Sequence, residues 1–334
     1  MTQKQHPIGT GFTAASTTDD VLKGIDLTGL NVVVTGGHVG LGLETTRALS
    51  EAGASVTVGS RDPDRAAPAL AGIDRVEVVR LDLLDPPSID AFTARYLDSN
   101  RPLHVLLNNA GIMGGPLLRD SRGYESQFAT NHLGHFQLTL GLLPALRAAG
   151  GARVVNLTSG GHRLSDIRWD DPHFATGYDP MLGYGQSKTA NVLFAVDLDR
   201  RWAADGIRGY AVHPGVVIGT ELGPSRSEDG RAVTEDQLRA MGLVDEEGRP
   251  VIAPDRGLKT VAQGAATSVF AATSPLLADV GGVYLKDNDV SPLDTPRPID
   301  FGVDRDIPAD VVPHAVDPES ARRLWELSER LLRG

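Results

Sequence analysis

The sequence has no cysteine among its 334 residues. Disulfides, thiolate nucleophiles, CxxC redox pairs and thiolate zinc sites are therefore excluded. It also lacks any apolar run near the roughly 18 residues that span a bilayer. The first twenty residues are polar and carry no apolar core of the kind a secretory signal needs, so a cytoplasmic protein is expected. Positive charge is in short supply: the net charge is −11. That disfavours nucleic acid and anionic membranes as partners, while leaving room for a local basic pocket. No HExxH and no G-x-S-x-G is present, and there is neither an internal repeat nor a low-complexity linker. His132 and His135 stand three apart, but no carboxylate cluster accompanies them, so no metal is expected. Trp169, Trp202 and Trp325 are scattered and read as packing residues.

What is present is a rhythm. Apolar residues make up 41% and charged residues 22%, which suits one large globular unit. Short β-branched runs at 31–34, 55–59, 76–81, 105–107, 153–157, 209–212 and 283–285 each end in small or polar residues. Helical spacing fills the gaps at 43–52, 88–98, 124–149, 183–205 and 257–273. Strand, turn, helix, strand predicts an α/β protein with a single Rossmann-type domain. Its sheet would be doubly wound and parallel, with helices on both faces and ligands at the strands' carboxyl ends. The predicted layout is an N-terminal arm and short helix (1–24, helix start at Thr17), the main domain (25–294) and a C-terminal extension ending in a helix (295–334). That last helix starts at Asp317-Pro318-Glu319 and has Leu324, Leu327 and Leu331 on one face. Long loops at 160–182 and 221–254 interrupt the rhythm, the second with a short helix near 234–241. Loops of that length in a compact domain read as functional or mobile.

The first strand runs into Thr35-Gly36-Gly37-His38-Val39-Gly40-Leu41-Gly42. Glycines permit a tight turn and close approach of backbone to a pyrophosphate, and the helix that opens here offers free N–H groups. The second strand ends in Gly59-Ser60-Arg61. No acid stands there to accept a ribose 2′-hydroxyl, whereas Arg61 can neutralise a 2′-phosphate. NADP(H) is therefore expected over NAD(H), with His38 as a second contact; the alternative is a solvated Arg61 paired with Asp62.

Tyr184 and Lys188 are four apart at the start of a helix and share a face. An ammonium there would favour the phenolate and lower the tyrosine's pKa, making it a proton donor or acceptor. Ser159 ends a buried strand, where its hydroxyl could donate to a substrate oxygen. Asn131 lies in an apolar helix, where an amide either satisfies nearby backbone or holds a water relaying protons to Lys188.

Together these motifs resemble the short-chain dehydrogenase/reductase family. The matching series is Thr35-Gly36-x3-Gly40-x-Gly42, Asp82-Leu83, Asn108-Asn109-Ala110-Gly111, Asn131, Ser159, Tyr184-x3-Lys188 and Pro214-Gly215. Asn131-His132-Leu133-Gly134-His135-Phe136 and Tyr184-Gly185-Gln186-Ser187-Lys188-x-Ala190-Asn191 look like the retinol-dehydrogenase-like and protochlorophyllide-reductase-like branch, as does the 25-residue step (184 − 159) from Ser159 to Tyr184. The resemblance implies Tyr184 as general acid/base, Lys188 lowering its pKa and holding the nicotinamide ribose, Ser159 polarising the substrate and Asn131 supporting the relay. It implies Asp82 and Leu83 on the adenine side, and Asn109, Ala110 and Gly111 lining the cleft. Pro214, Gly215 and Val217 would lie near the carboxamide. Where the family usually has threonine after Pro214-Gly215, this chain has Gly219, and Thr220 follows one later. The resemblance further implies a small carbonyl or alcohol substrate and pairing as a homodimer or homotetramer, while the long loops, able to cover a large apolar pocket, point to a lipophilic or bulky substrate of secondary-metabolite type. The rival readings are net non-redox chemistry, such as epimerisation or cyclisation, and a nucleotide sensor.

Overall fold

Buried β-branched strands set the architecture. The computed structural model describes residues 4–218, 234–295 and 308–333. Eight strands form one sheet: β1 (Asn31–Thr35), β2 (Ser55–Ser60), β3 (Val76–Arg80), β4 (Val105–Asn108), β5 (Ala152–Leu157), β6 (Ile207–His213), β7 (Val283–Lys286) and β8 (Asp289–Val290). Their order is β3-β2-β1-β4-β5-β6-β7-β8. All pairings are parallel except β7 with β8. The chain winds outward from β1 in one direction and from β4 in the other, so a crevice opens between their carboxyl ends.

Consecutive residues of β1 feed opposite cores. Val32 and Val34 belong to one apolar cluster and Val33 to the other. The first face is covered by helices Gly40–Glu51 and Val261–Thr273, through Leu49, Val269 and Phe270. The second is covered by helices Pro86–Asp98 and Pro180–Trp202, through Phe92 and Phe194. Burial on both faces is why these strands read as continuous apolar runs without alternation.

Four details depart from the sequence reading. The N-terminal arm is docked: the Gln5 side chain accepts from Tyr284 N and donates to Tyr284 O and Ser291 O at 2.7–3.0 Å. Its amide thus substitutes for a strand partner beside β7, and Asp289 accepts from Ile8 N and Gly9 N. The helix expected over 124–149 is broken into Ser126–Phe128, a wide π-type stretch Ala129–Gly134, His135–Gly141 and Leu143–Ala148. The segment expected to turn helical from Gly257 does so only at Val261, because Gly257 takes φ +77° and Thr260 with Gln263 forms the capping box. β8 was unread; Asp287 and Asn288 both hold positive φ, 54° and 64°, and make the tight hairpin that turns it back.

The C-terminal helix Pro318–Arg333 lies on helix Pro180–Trp202. Trp325 meets the rings of Phe136, Phe194 and Trp202 at centroid distances of 4.9–5.8 Å. Leu324 and Leu327 are buried with it. The chain's own end thus covers part of helices His135–Gly141 and Pro180–Trp202.

Candidate active site

The glycine turn lies at the crevice between β1 and β4. Gly36 and Gly40 take positive φ, 65° and 53°, which a side chain would resist. A Cβ on Gly42 would stand 2.3 Å from Gly36 O and 2.6 Å from Asn109 Nδ2. The helix Gly40–Glu51 begins after Val39, whose side chain makes no capping hydrogen bond, unlike Asp62, Asp179 and Thr260 at other helix starts. Its first N–H groups, at Gly40, Leu41 and Gly42, are left for an anionic ligand. This cradle fits a dinucleotide's phosphates.

Thr35 ties the crevice together. Its hydroxyl accepts from Asn109 N and Ala110 N, both at 2.9 Å, and meets His135 Nε2 at 2.9 Å. His135 Nδ1 donates to Asn131 O at 3.0 Å, so Nε2 is the bare nitrogen and the Thr35 hydroxyl donates to it. Asn109 Nδ2 adds a bond to Thr35 O at 2.9 Å. His132 points elsewhere, to Ser328 Oγ on the C-terminal helix at 2.7 Å. The two histidines therefore serve different contacts.

Asn131 lies in the π-type stretch and is fully buried. Its Oδ1 accepts from Ile112 N at 2.8 Å, and its Nδ2 donates to Ile112 O and Ser187 Oγ at 2.9 Å. Ser187 Oγ in turn donates to Tyr184 O at 2.7 Å. Of the two sequence readings for Asn131, the side chain follows the backbone-satisfying one.

Ser159, Tyr184 and Lys188 converge at the end of β5. Asp179 caps the helix by accepting from Met181 N and Leu182 N at 2.8 Å, which fixes its first turn. The Ser159 hydroxyl accepts from Gly161 N at 3.1 Å and also hydrogen-bonds the Tyr184 phenol. Lys188 Nζ donates to Leu157 O at 3.0 Å and lies 5.5 Å from the Tyr184 ring centroid. Asn191 Nδ2 shares the same carbonyl at 3.0 Å. A Cβ on Gly111 would come within 3.5 Å of Lys188 Nζ and 3.1 Å of Asn131 Oδ1, so the glycine leaves the cleft open there.

Burial dominates the electrostatics of the pair. Burial pushes the Tyr184 phenol up to about 12, opposed by its bond to Ser159. Burial also pulls Lys188 down to about 7. The lysine is desolvated and gives one of its N–H donors to Leu157 O, and burial is the larger influence on the phenol.

At the second strand, Ser60 turns its hydroxyl to Asp62 O at 3.0 Å. Arg61 is exposed, and among the described residues no carboxylate pairs with it; Asp62 instead caps its own helix at Arg65 N. Arg80, opposite Ser60 in register, donates to Arg61 O at 3.3 Å. Two guanidiniums thus stand at this corner, the second of which the sequence reading missed; only strand register reveals it. Asp82 Oδ1 accepts from Leu84 N at 3.0 Å, and Leu83 packs against Gly134, where a Cβ would meet Leu83 O. Past β6, Pro214-Gly215 leads into Val216, which bridges to Leu258. Val217 and Leu41 meet over Gly264, where a Cβ would be 2.6 Å and 2.9 Å from their side chains. His38 is half-buried within the turn. Gly219 and Thr220 lie outside the described residues, as does much of the loop 221–254.

A doubly wound sheet with a glycine cradle at its switch point, flanked by half-buried Ser159 and by buried Tyr184 and Lys188, defines a nucleotide-dependent oxidoreductase. Residues 30–230 match the short chain dehydrogenase family model. The chain is 46% identical to a "Probable oxidoreductase" of Streptomyces lividans over 310 residues, covering 90% of this chain and 97% of that one. It is 35% identical to retinol dehydrogenase 12 of Homo sapiens over 314 residues, 92% and 88% of the two chains. Among solved structures, an uncharacterized protein from Mycobacterium Paratuberculosis superposes with TM-score 0.69 at 30% identity, covering 96% and 98%. The chain belongs to the short-chain dehydrogenase/reductase family, in its retinol-dehydrogenase-like branch, and is an oxidoreductase of that family.

Proposed function

We propose that the protein interconverts a carbonyl and an alcohol with NADP(H). The observation that carries this reading is the convergence of Ser159, Tyr184 and Lys188 beside the uncapped glycine turn. The residues that would hold the dinucleotide are Gly36, His38, Val39, Gly40, Leu41 and Gly42 at the phosphates, with Asp82 and Leu83 toward the adenine. Asn109, Ala110, Gly111, Lys188, Pro214, Gly215 and Val217 would line its nicotinamide half. Arg61, with Ser60 and Arg80 beside it, would meet a 2′-phosphate. When bound, the nicotinamide supplies or takes the hydride at the carbonyl carbon.

The chain's own residues move the proton. Ser159 donates to the substrate oxygen and holds it against Tyr184. Tyr184, protonated at neutral pH by its burial, gives its phenolic proton to that oxygen during reduction. Asn131, through Ser187, keeps the Tyr184 turn in place. Large apolar side chains left to solvent beside these residues, Ile112 next to the Asn131 clamp and Leu182 two positions before Tyr184, favour a lipophilic substrate.

A panel of aldehydes and ketones, assayed with NADPH and with NADH, tests the reading. Turnover by wild type and loss of about a hundredfold or more in Tyr184→Phe, with nucleotide affinity retained, is the expected result. Arg61→Ala should raise the KM for NADPH and leave that for NADH unchanged. Equal turnover by wild type and Tyr184→Phe would remove the mechanism.

A further inference from the structure

Two buried histidines grip one peptide group. Ser159 O accepts from His162 Nδ1 at 2.7 Å. Gly160 N donates to His213 Nδ1 at 3.1 Å. These are the carbonyl and the amide of the same peptide bond, the one that directly follows Ser159. The two rings come from different elements: His162 from the short helix Gly160–Leu164 and His213 from the last residue of β6.

The contacts fix opposite tautomers. A carbonyl can only accept, so His162 carries its proton on Nδ1. Its Nε2 is then bare, in keeping with Val312 N donating to it at 3.4 Å. His213 Nδ1 accepts an amide proton, so that ring carries its own proton on Nε2. Tyr284 packs against both imidazoles, at centroid distances of 5.0 Å and 6.4 Å, and is anchored by its hydroxyl to Ala309 O at 2.8 Å. His162 O is itself held by His314 Nε2 at 3.2 Å. Val312, Ala309 and His314 all belong to the C-terminal extension, so the extension buttresses the clamp.

We propose that His162 and His213 are positioning residues that set the rotation of the Ser159–Gly160 peptide and thereby aim the Ser159 hydroxyl at the substrate oxygen. The inference rests on the reading of Ser159 as the substrate-polarising group. His213 must be neutral to accept from Gly160 N, whereas His162 donates from Nδ1 in either charge state and is kept neutral by Val312 N, which needs a bare Nε2. A protonated His213 would present N–H to N–H and release Gly160. The surroundings hold both rings neutral: each is buried, His213 faces Lys259, Lys286 and His162, and His162 faces Arg163 and His314.

Asparagine separates aim from bulk. Its amide nitrogen falls near His Nδ1 and can donate to Ser159 O; its amide oxygen falls at the same point and can accept from Gly160 N. His162→Asn and His213→Asn should therefore keep kcat within about threefold of wild type, while His162→Leu and His213→Leu should lose about tenfold or more, with KM for NADPH unchanged. The assay is NADPH oxidation with phenanthrenequinone as the fixed carbonyl, with Ser159→Ala alongside. If Ser159→Ala falls while the leucine variants turn over as wild type, the clamp is overturned. Leucine and asparagine variants that lose activity equally, in step with thermal stability, also overturn it. If Ser159→Ala is fully active, the role given to Ser159 fails instead. An activity-independent readout is the imidazole nitrogen spectrum of the 15N-labelled full chain. A bare Nε2 on His162 together with a bare Nδ1 on His213 is expected; the same tautomer on both rings overturns the proposal.

Discussion

A buried phenol and a buried ammonium pull against each other's usual roles. Tyr184 is held above its ordinary value and Lys188 below, both by burial. Tyr184 therefore carries its proton throughout the neutral range, which suits reduction, whereas alcohol oxidation needs the scarce phenolate. Between pH 7 and about 9, oxidation should speed up with pH while reduction stays flat on the phenol's account; initial rates in both directions check this. Thr35 offers a second residue-scale test. Its hydroxyl serves Asn109 N, Ala110 N and His135 Nε2 at once. Thr35→Val would strand two half-buried amides and the buried His135 Nε2 and should cost roughly 2–4 kcal/mol in chemical denaturation, and Thr35→Ser should recover most of it. The sequence pointed to Tyr184, Lys188, Ser159 and the glycine turn because those residues recur at fixed spacing. It could not point to Arg80, and it gave Ser187 and Asn191 no partners, because those are set by strand register and by helix docking.

At the scale of elements, the helix Pro318–Arg333 covers an aromatic face of the chain's own core. Trp325 fills a pocket of three aromatic rings, and Ser328 receives the His132 ring. Trp325→Ala should cost about 3–5 kcal/mol by the cavity it leaves, read as a fall in the denaturant midpoint with unchanged slope. The amphipathic spacing of Leu324, Leu327 and Leu331 announced the helix, but which surface it would cover was not in that spacing. The break at Ala129–Gly134 was equally hidden. The stretch carries Asn131, which reaches out of the helix to clamp Ile112, while His135 bonds back to Asn131 O one turn earlier.

For the whole molecule, the histidines matter more than their number suggests. His132, His135 and His162 are pushed down to about 3, 4 and 3 by burial, and His213 goes well below its ordinary value. A group neutral when folded and free to take a proton near pH 6.5 when unfolded stabilises fully above that pH. That contribution is lost as pH falls toward the folded value. Each such histidine gives up on the order of 2 kcal/mol by pH 5. Buried Glu125 and Asp199, raised by desolvation, act in the opposite sense. The expected net result is a steep fall of Tm between pH 6.5 and 5, which calorimetry would reveal; a flat profile would mean the rings are not buried neutral. By itself the sequence determined the layered α/β plan, the cradle and the reactive set, because apolar period, glycine turns and helix spacing are local properties of a chain. Tertiary structure alone decided how the Tyr184–Lys188 pair is charged, since desolvation exists only once the site is enclosed. It also decided that a peptide after Ser159 is held between two imidazoles from distant segments, a contact no local pattern encodes.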